Sequence, residues 1–348
     1  MRYVALTPGR ARAYAFAMVR RALALVSSCL GVCLARPAAA EPNDLVLSRL
    51  ATRILGAGGN LDGVVAQNLE FRALASQLGV VLAPHLLTPA DTLGFAGFQF
   101  DVDATQTTID VKQPYWRARE GSPDPSGLNR VANGPGVLRT IGVFAHKGLW
   151  FPLPSFEIGA GAVHLIDSGT WTAQLYGKIA LHEGYHELPI PSVSVRGAVS
   201  RMMNQQELDL TVASLDVTVS KHFGIAGTWR LDPFAGWNLL MIIPRSEVID
   251  ATPDKDPLQP GNEMDASNNF VFSDQATIYR QRILIGAKLQ YDVVQITLEA
   301  QLALAGSSVD DRPGAAVACQ PNSTTSNCNA KDTAAAQTTL SVSAGFDF

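Results

Sequence analysis

From about residue 93 to the last residue, apolar and polar side chains alternate along the chain with a period of two. The last strand shows the pattern most clearly, and its apolar face holds Leu340, Val342, Ala344, Phe346 and Phe348. Serine, glycine and aspartate stand between them. A period of two predicts β-strands that have one apolar face and one polar face.

The alternation predicts about ten strands of 11 to 18 residues, whereas an ordinary strand has about five or six residues. They lie near 94–111, 138–149, 155–166, 171–182, 192–203, 208–219, 231–248, 279–291, 293–304 and 337–348. At about 3.3 Å per residue, such strands can cross a bilayer at a tilt of about 40°. Within 208–219 the apolar positions change from even to odd, which predicts a β-bulge near Ala213 and Ser214.

The lengths of the connections carry separate information. The links at 112–137, 249–270 and 307–336 are long and polar, and they follow the first, seventh and ninth strands. The links after the second, fourth, sixth and eighth strands are short. In an antiparallel meander all the long links therefore fall on one side, as in membrane barrels.

Residues 1–40 have the composition of a secretory signal. Six arginines and no acidic residue occur there, an apolar stretch covers 22–35, and Pro37 to Ala40 forms a small-residue cleavage site. We expect cleavage after Ala40. The alternatives are an uncleaved anchor helix and a lipid attached at Cys29.

In these traits the chain resembles the β-barrel proteins of the Gram-negative outer membrane. The resemblance covers residues 93–348 and implies an all-β, antiparallel up-and-down transmembrane barrel of about ten strands. It also implies contact with outer-membrane lipids. The terminal strand, with Leu340, Val342, Phe346 and Phe348, would be recognised by the barrel-assembly machinery. The alternative is a soluble sandwich or lipocalin-like barrel, whose apolar face points inward.

If the apolar face meets lipid, the polar face lines the lumen. We expect eight charged residues there: Lys178, Arg196, Asp209, Asp216, Arg280, Arg282, Lys288 and Glu299. A barrel of about ten strands is narrow, and buried charges persist when they are paired. We therefore favour a salt-bridged polar core over a thin pore for a small solute. The expected function is a narrow channel or a structural, surface-exposed barrel without enzyme activity or cofactor.

Net charge and cysteine content indicate which partners and which covalent links to expect. Without residues 1–40, 21 basic and 31 acidic residues remain, a net charge of −10 with no basic block, so we expect no nucleic-acid partner. Two cysteines also remain, Cys319 and Cys328. In an exported chain this pair predicts a disulfide within one loop.

Residues 41–92 do not alternate. Leu47, Leu50, Ile54 and Leu55 have helical spacing, as do Val65, Leu69 and Leu78, and glycines separate the two groups. We expect two short helices, either in the periplasm or as a plug in the lumen. A strand hidden in this region would raise the number of strands to twelve.

One motif suggests a hydrolase instead. Residues 182–186 read His-Glu-Gly-Tyr-His, which matches the zinc-binding pattern H-E-x-x-H with Glu183 as the general base. That chemistry requires a helix that brings His182 and His186 to one face. Here the preceding residues alternate with period two and two prolines follow, so we expect a turn.

Overall fold

The computed structural model describes residues 41–56, 61–85, 87–122, 134–150, 155–183, 190–225, 227–252, 269–310 and 331–348. The chain divides into two units at the bond between Ala40 and Glu41, and all described residues belong to the second. The predicted signal peptide, His186, Cys319 and Cys328 lie outside the described residues. Within the described part, no helix is both long and apolar enough to span a membrane.

The chain forms one α-helix, two 3-10 helices and thirteen strands within the described ranges. The N-terminal elements are a 3-10 helix Leu47–Leu50, β1 Ala51–Leu55, β2 Leu61–Ala66 and α1 Asn68–Val81. The remaining elements are β3 Phe98–Thr108, a 3-10 helix Pro114–Ala118, β4 Val137–Leu149, β5 Phe156–Leu165, β6 Trp171–His182, β7 Ser192–Met203, β8 Leu208–Ser220, β9 Phe223–Ile225, β10 Trp229–Ser246, β11 Ile278–Tyr291, β12 Val294–Ala303 and β13 Gln337–Asp347.

Ten long strands form a closed antiparallel barrel. From β3 to β13 each long strand pairs with the next one along the chain, and β9 is a short extension beside the start of β10. The last strand, β13, pairs with β3, so the sheet has no free edge. The predicted fold class and the number of ten strands are confirmed.

The apolar face of the barrel points outward. On β12 the side chains Val294, Ile296, Leu298 and Leu302 are 44–58% exposed. The polar side chains between them, Gln295, Thr297, Glu299 and Gln301, are at most 5% exposed. A soluble barrel has the reverse arrangement, whereas an apolar outer band suits hydrocarbon. The architecture is that of an outer-membrane β-barrel, and the soluble alternative was wrong.

The two ends of the barrel differ. The long links 109–136, 247–277 and 304–336 start and finish at strand ends on one side of the barrel, and we call this end the long-loop rim. At the other end lie the short turns, such as 292–293, together with the C-terminal Phe348, and we call it the short-turn rim. The prediction that the long links fall on one side of the barrel is confirmed.

The predicted bulge in β8 is wrong. Pairing of β8 with β7 and with β10 continues without a register shift, and the even-numbered residues face inward from Leu208 to Ser220. The first three inward residues are apolar, and those from Ser214 onward are polar. The switch from apolar to polar inward residues therefore indicates that the two halves of β8 face different groups inside the barrel.

The N-terminal region also departs from the prediction of two helices. Ile54 and Leu55 lie in β1, and Val65 lies in β2. These two strands form a separate two-stranded sheet, so they do not raise the number of barrel strands to twelve. β-Branched residues such as Thr52 and Ile54 favour extended backbone, and helical spacing over so few positions is ambiguous.

Helix α1 lies inside the barrel next to the long-loop rim. Twelve of its 14 residues are buried. Its apolar side chains belong to one buried cluster with inward residues of the wall: Leu208, Leu210, Val212, Leu240, Ile242 and Ile278. A helix that is buried on all sides needs such a surrounding apolar wall, which explains the apolar first half of β8.

Beyond α1 the chain continues through the lumen to the short-turn rim, where β3 begins at Phe98. Ser200 Oγ donates to Leu82 O at 2.6 Å, and farther along Lys178 Nζ donates to Asp91 O at 2.9 Å. We call residues 41–97 the N-terminal segment. It enters at the long-loop rim and leaves at the short-turn rim.

We expect Gly79→Ala to lower the stability of the barrel. Alanine is favoured over glycine inside a helix by about 1 kcal/mol. The added Cβ would lie 2.6 Å from Ile242 Cδ1, however, and such overpacking costs about 1–3 kcal/mol. The measurement is the temperature at which the folded form disappears on a semi-native gel.

Gly197→Ala is the matched control, because a Cβ there would meet no atom within 4 Å. A Gly79→Ala protein that melts at or above the wild-type temperature would contradict the seating of α1 against β10.

Candidate functional site in the barrel lumen

The inward face of the barrel carries a row of charged and polar residues. Strand register places Glu157, Lys178, Arg196, Asp216, Asn238 and Arg282 directly opposite one another on consecutive strands from β5 to β11. Directly opposite side chains are the closest neighbours in a sheet. We call these six residues the charged row.

The structure places seven of the eight predicted lumen residues inside the barrel. They are Lys178, Arg196, Asp216, Arg280, Arg282, Lys288 and Glu299, and each is at most 6% exposed. The eighth, Asp209, was predicted incorrectly. It lies on the other face of β8, near the long-loop rim, and forms a 2.8 Å ion pair with the exposed Arg201. The error follows from the β-bulge predicted in β8: the bulge is absent, so the odd-numbered Asp209 faces away from the lumen.

Four of the six residues in the charged row form a continuous hydrogen-bond network. Arg196 Nε lies 2.8 Å from Asp216 Oδ2, and Asn238 donates to the other oxygen of Asp216. Arg282 Nε donates to Asn238 Oδ1 at 2.7 Å. Arg282 also donates to Pro84 O at 3.2 Å, so this network holds the N-terminal segment as well as four strands.

The other two residues of the row, Glu157 and Lys178, belong to a second network. Lys178 Nζ lies 3.1 Å from Glu157 Oε2, and Tyr176 donates to Glu157 Oε1 at 2.6 Å. His146 bonds Tyr176 through Nδ1 and lies 2.7 Å from Asp101 through Nε2. These groups pair charges that would otherwise be isolated in a low-dielectric interior.

Several of these partners were missed in the sequence. Asp101 and Asp103 occupy alternate inward positions of β3, and His85 of the N-terminal segment bonds Asp103. The period-two pattern of β3 was the available signal, because its odd positions are polar throughout. No pattern in the sequence indicates that His85 would lie in the lumen.

Arg280 connects helix α1 to the long-loop rim. Its guanidinium donates to Ser76 Oγ at 2.9 Å, to Ala335 O at 3.1 Å and to Leu304 O at 2.9 Å. Arg72 of α1 similarly donates to Ala276 O at 3.0 Å. Both cations therefore hold α1 to links at the long-loop rim.

The 3-10 helix Pro114–Ala118 lies against α1 at the long-loop rim. Trp116 Nε1 donates to Gln77 Oε1 at 2.9 Å, and Arg117 forms an ion pair with Glu70. Trp116 and Arg117 are both 1% exposed. The link between β3 and β4 thus packs on the helix that occupies this end of the lumen.

Glu207, in the turn between β7 and β8, anchors the start of the N-terminal segment. Leu47 N donates to Glu207 Oε2 at 2.6 Å. Burial raises the pKa of the Glu207 carboxyl above its ordinary value, the nearby Asp250 adds to the rise, and the Leu47 hydrogen bond opposes it. This contact is therefore sensitive to the protonation of one carboxyl group.

A polar cavity of about 300 Å³ opens at the short-turn rim. Its basic lining residues all have acidic neighbours. Lys288 lies 3.2 Å from Asp347, and Arg230 lies 2.7 Å from Asp232. Lys178, which also lines the cavity, holds Glu157. Because these cations are paired, the cavity has no surplus positive charge to attract an anion.

The H-E-x-x-H motif begins in an extended strand. His182 is the last residue of β6, and Glu183 accepts hydrogen bonds from Thr92 N at 3.1 Å and Ser155 Oγ at 2.9 Å. Within the described residues, no group of three or more His, Cys, Asp and Glu side chains is arranged to hold a metal ion. Glu183 thus contributes to the contact between the N-terminal segment and the short-turn rim.

The predicted assembly signal forms the seam of the barrel. Leu340, Val342 and Phe346 point outward from β13. Phe348 exchanges two backbone hydrogen bonds with Phe98, at 2.8 and 2.9 Å. The terminal residues therefore complete the pairing of the last strand with the first.

No protein-family model matches the chain. No curated protein matches it. Among solved structures, Ail, the attachment invasion locus protein of Yersinia pestis, matches with 10% identity and a TM-score of 0.23, covering 73% of this chain and 99% of Ail. The outer-membrane protease OmpT of Escherichia coli matches with 8% identity and a TM-score of 0.27, covering 72% and 96%. OmpT of Vibrio cholerae matches with 8% identity and a TM-score of 0.25, covering 73% and 98%.

We expect Lys178→Met to lower the free energy of unfolding by about 3–5 kcal/mol, because it leaves the Glu157 carboxylate buried without its cation. Adding Glu157→Gln should restore most of the loss. The measurement is denaturant unfolding in lipid vesicles, followed by tryptophan fluorescence.

Arg201→Ala is the control for this cycle. It breaks the exposed pair with Asp209 and should cost less than about 1 kcal/mol. Similar small losses for both single variants would contradict the buried pairing of Lys178 with Glu157.

We expect Glu207 to make the wild type less stable as pH rises. A raised folded pKa means that the folded state holds the proton more tightly than the unfolded state. The stability due to this group is therefore complete below about pH 4.5, the ordinary value, and is lost as pH rises through the folded pKa. Glu207→Gln keeps an acceptor for Leu47 N and removes the titration.

The measurement compares the unfolding temperatures of the wild type and Glu207→Gln from about pH 4 to pH 8. The difference should grow in favour of the variant as pH rises. A difference that stays constant across this range would show that Glu207 does not titrate at a raised pKa.

Proposed function

We propose that this protein is an outer-membrane barrel with a structural or surface-exposed role, whose lumen is closed by its own N-terminal segment. The observation that carries the proposal is the path of this segment. It bonds to the wall near both rims and between them. A solute could pass only if the segment moved.

Contacts along the path support a closed lumen. At the long-loop rim, α1 fills the space inside the apolar part of the wall. In the middle, Leu82 and Pro84 accept hydrogen bonds from the wall. At the short-turn rim, Leu93 N donates to Glu157 Oε2 at 3.1 Å. Ser200, Arg282 and Glu157 are wall residues that could line a pore, and they instead bind this segment.

The apolar outer face of the barrel supports a location in the outer membrane and indicates the protein's partners. We infer that the apolar band contacts outer-membrane lipids and that the long-loop rim faces the outside of the cell. The seam strand with Leu340, Val342, Phe346 and Phe348 fits recognition by the barrel-assembly machinery. We assign no catalytic role and no cofactor, because Glu183 and the charged row are engaged in contacts that hold the N-terminal segment and the wall.

Planar-bilayer recording of the purified mature protein tests the closed lumen. We expect no steady unitary conductance from the wild type, since α1 and the charged row occupy the lumen. Deletion of residues 41–92 should produce an ohmic conductance, because it removes the enclosed chain. A heat-modifiable gel shift verifies that each preparation is folded.

The wild-type recording decides between a closed structural barrel and a narrow channel. A steady wild-type conductance as large as that of the deletion variant would overturn the closed barrel and favour the narrow channel.

A further inference from the structure

We propose that removal of residues 1–40 creates an amino-terminal ammonium group that Asp44 binds at the long-loop rim. The inference rests on the proposed function, because it requires export and processing of the chain. It assigns to Asp44 the role of holding the processed end of the N-terminal segment. Three observations lead to it.

First, the atom that would become the amino terminus already faces a carboxylate. Glu41 N lies 2.7 Å from Asp44 Oδ2. Asp44 N in turn donates to Glu41 O at 2.9 Å, so residues 41–44 form a tight turn. Glu41 directly follows the small-residue cleavage site predicted from the sequence.

Second, the carboxylate is fixed in place, and one of its oxygens faces Glu41 N. Asp44 Oδ1 accepts from Ser168 Oγ at 2.8 Å and from Gly169 N at 2.7 Å, both in the turn between β5 and β6. Within the described part of the chain, no lysine or arginine forms an ion pair with Asp44. Its Oδ2 points at Glu41 N, where cleavage would place a positive charge.

Third, the turn itself is bound to the rim. Asn43 N donates to Asp167 O and Asn43 Nδ2 donates to Ile166 O, both at 2.8 Å. Val46 N donates to Ala118 O at 2.7 Å. Processing would therefore convert an amide hydrogen bond into a charge-assisted one without moving the turn, and charge-assisted bonds are stronger than neutral ones.

The test uses the full mature protein extracted from membranes. N-terminal sequencing should begin at Glu41, and any other start overturns the proposal. The α-amine is then modified selectively at about pH 6.5, where it reacts before lysine because its ordinary pKa is about 7.7–8.0. Acetylation removes the charge, whereas reductive dimethylation keeps it.

We expect acetylation to raise the unfolding rate of the wild type about threefold, as for a partly exposed ion pair. Dimethylation should change the rate much less. In Asp44→Asn, which keeps an oxygen for Ser168 and Gly169, acetylation should have no further effect. Arg201→Ala, which breaks the exposed pair with Asp209, is the control, and acetylation should affect it as it affects the wild type.

Equal effects of acetylation in the wild type and Asp44→Asn would overturn the pairing. Equal effects of acetylation and dimethylation on the wild type would do so too, and this comparison remains available if Asp44→Asn fails to fold. Neither readout depends on conductance, so a failure here is distinct from a failure of the closed-lumen proposal.

Discussion

A strand in hydrocarbon must satisfy its backbone hydrogen bonds on both edges, because no water is available to do so. In this chain the requirement is met by the pairing of β13 with β3, which turns a meander into a ring. Closure at ten strands also fixes a narrow interior. The side chains that alternate away from the lipid then share this small space, and each inward charge needs a partner.

The ring and its contents are matched along the axis. Near the long-loop rim the inward residues of β8 and β10 are apolar and surround α1. Farther down, the inward residues are charged or polar and surround a non-helical stretch of chain whose carbonyl groups accept their hydrogen bonds. A helix satisfies its own backbone and needs apolar walls, whereas a non-helical backbone needs donors and acceptors from its surroundings. The change in wall chemistry follows the change in backbone conformation.

Much of the wall could be predicted from the sequence, because a period of two fixes which residues share a face. This period correctly placed seven charged residues inside the ring, but it misplaced Asp209. In the first half of β8 the inward residues are apolar because they surround α1, and without knowledge of the helix they were assigned to the lipid-facing side. Ion pairs such as Arg196 with Asp216 required the strand register. The contacts of His85 required the path of a segment that carries no periodic signal.

The covalent connection at Gly97 gives the enclosed chain a direction. The N-terminal segment is joined to β3 at the short-turn rim, while its other end is bound at the long-loop rim by hydrogen bonds and ion pairs. Withdrawal can therefore proceed only toward the short-turn rim, with the contacts at Asn43 and Leu47 breaking before the helix can leave. The same connection means that a withdrawn segment stays tethered at the mouth it left, at a high effective concentration for return.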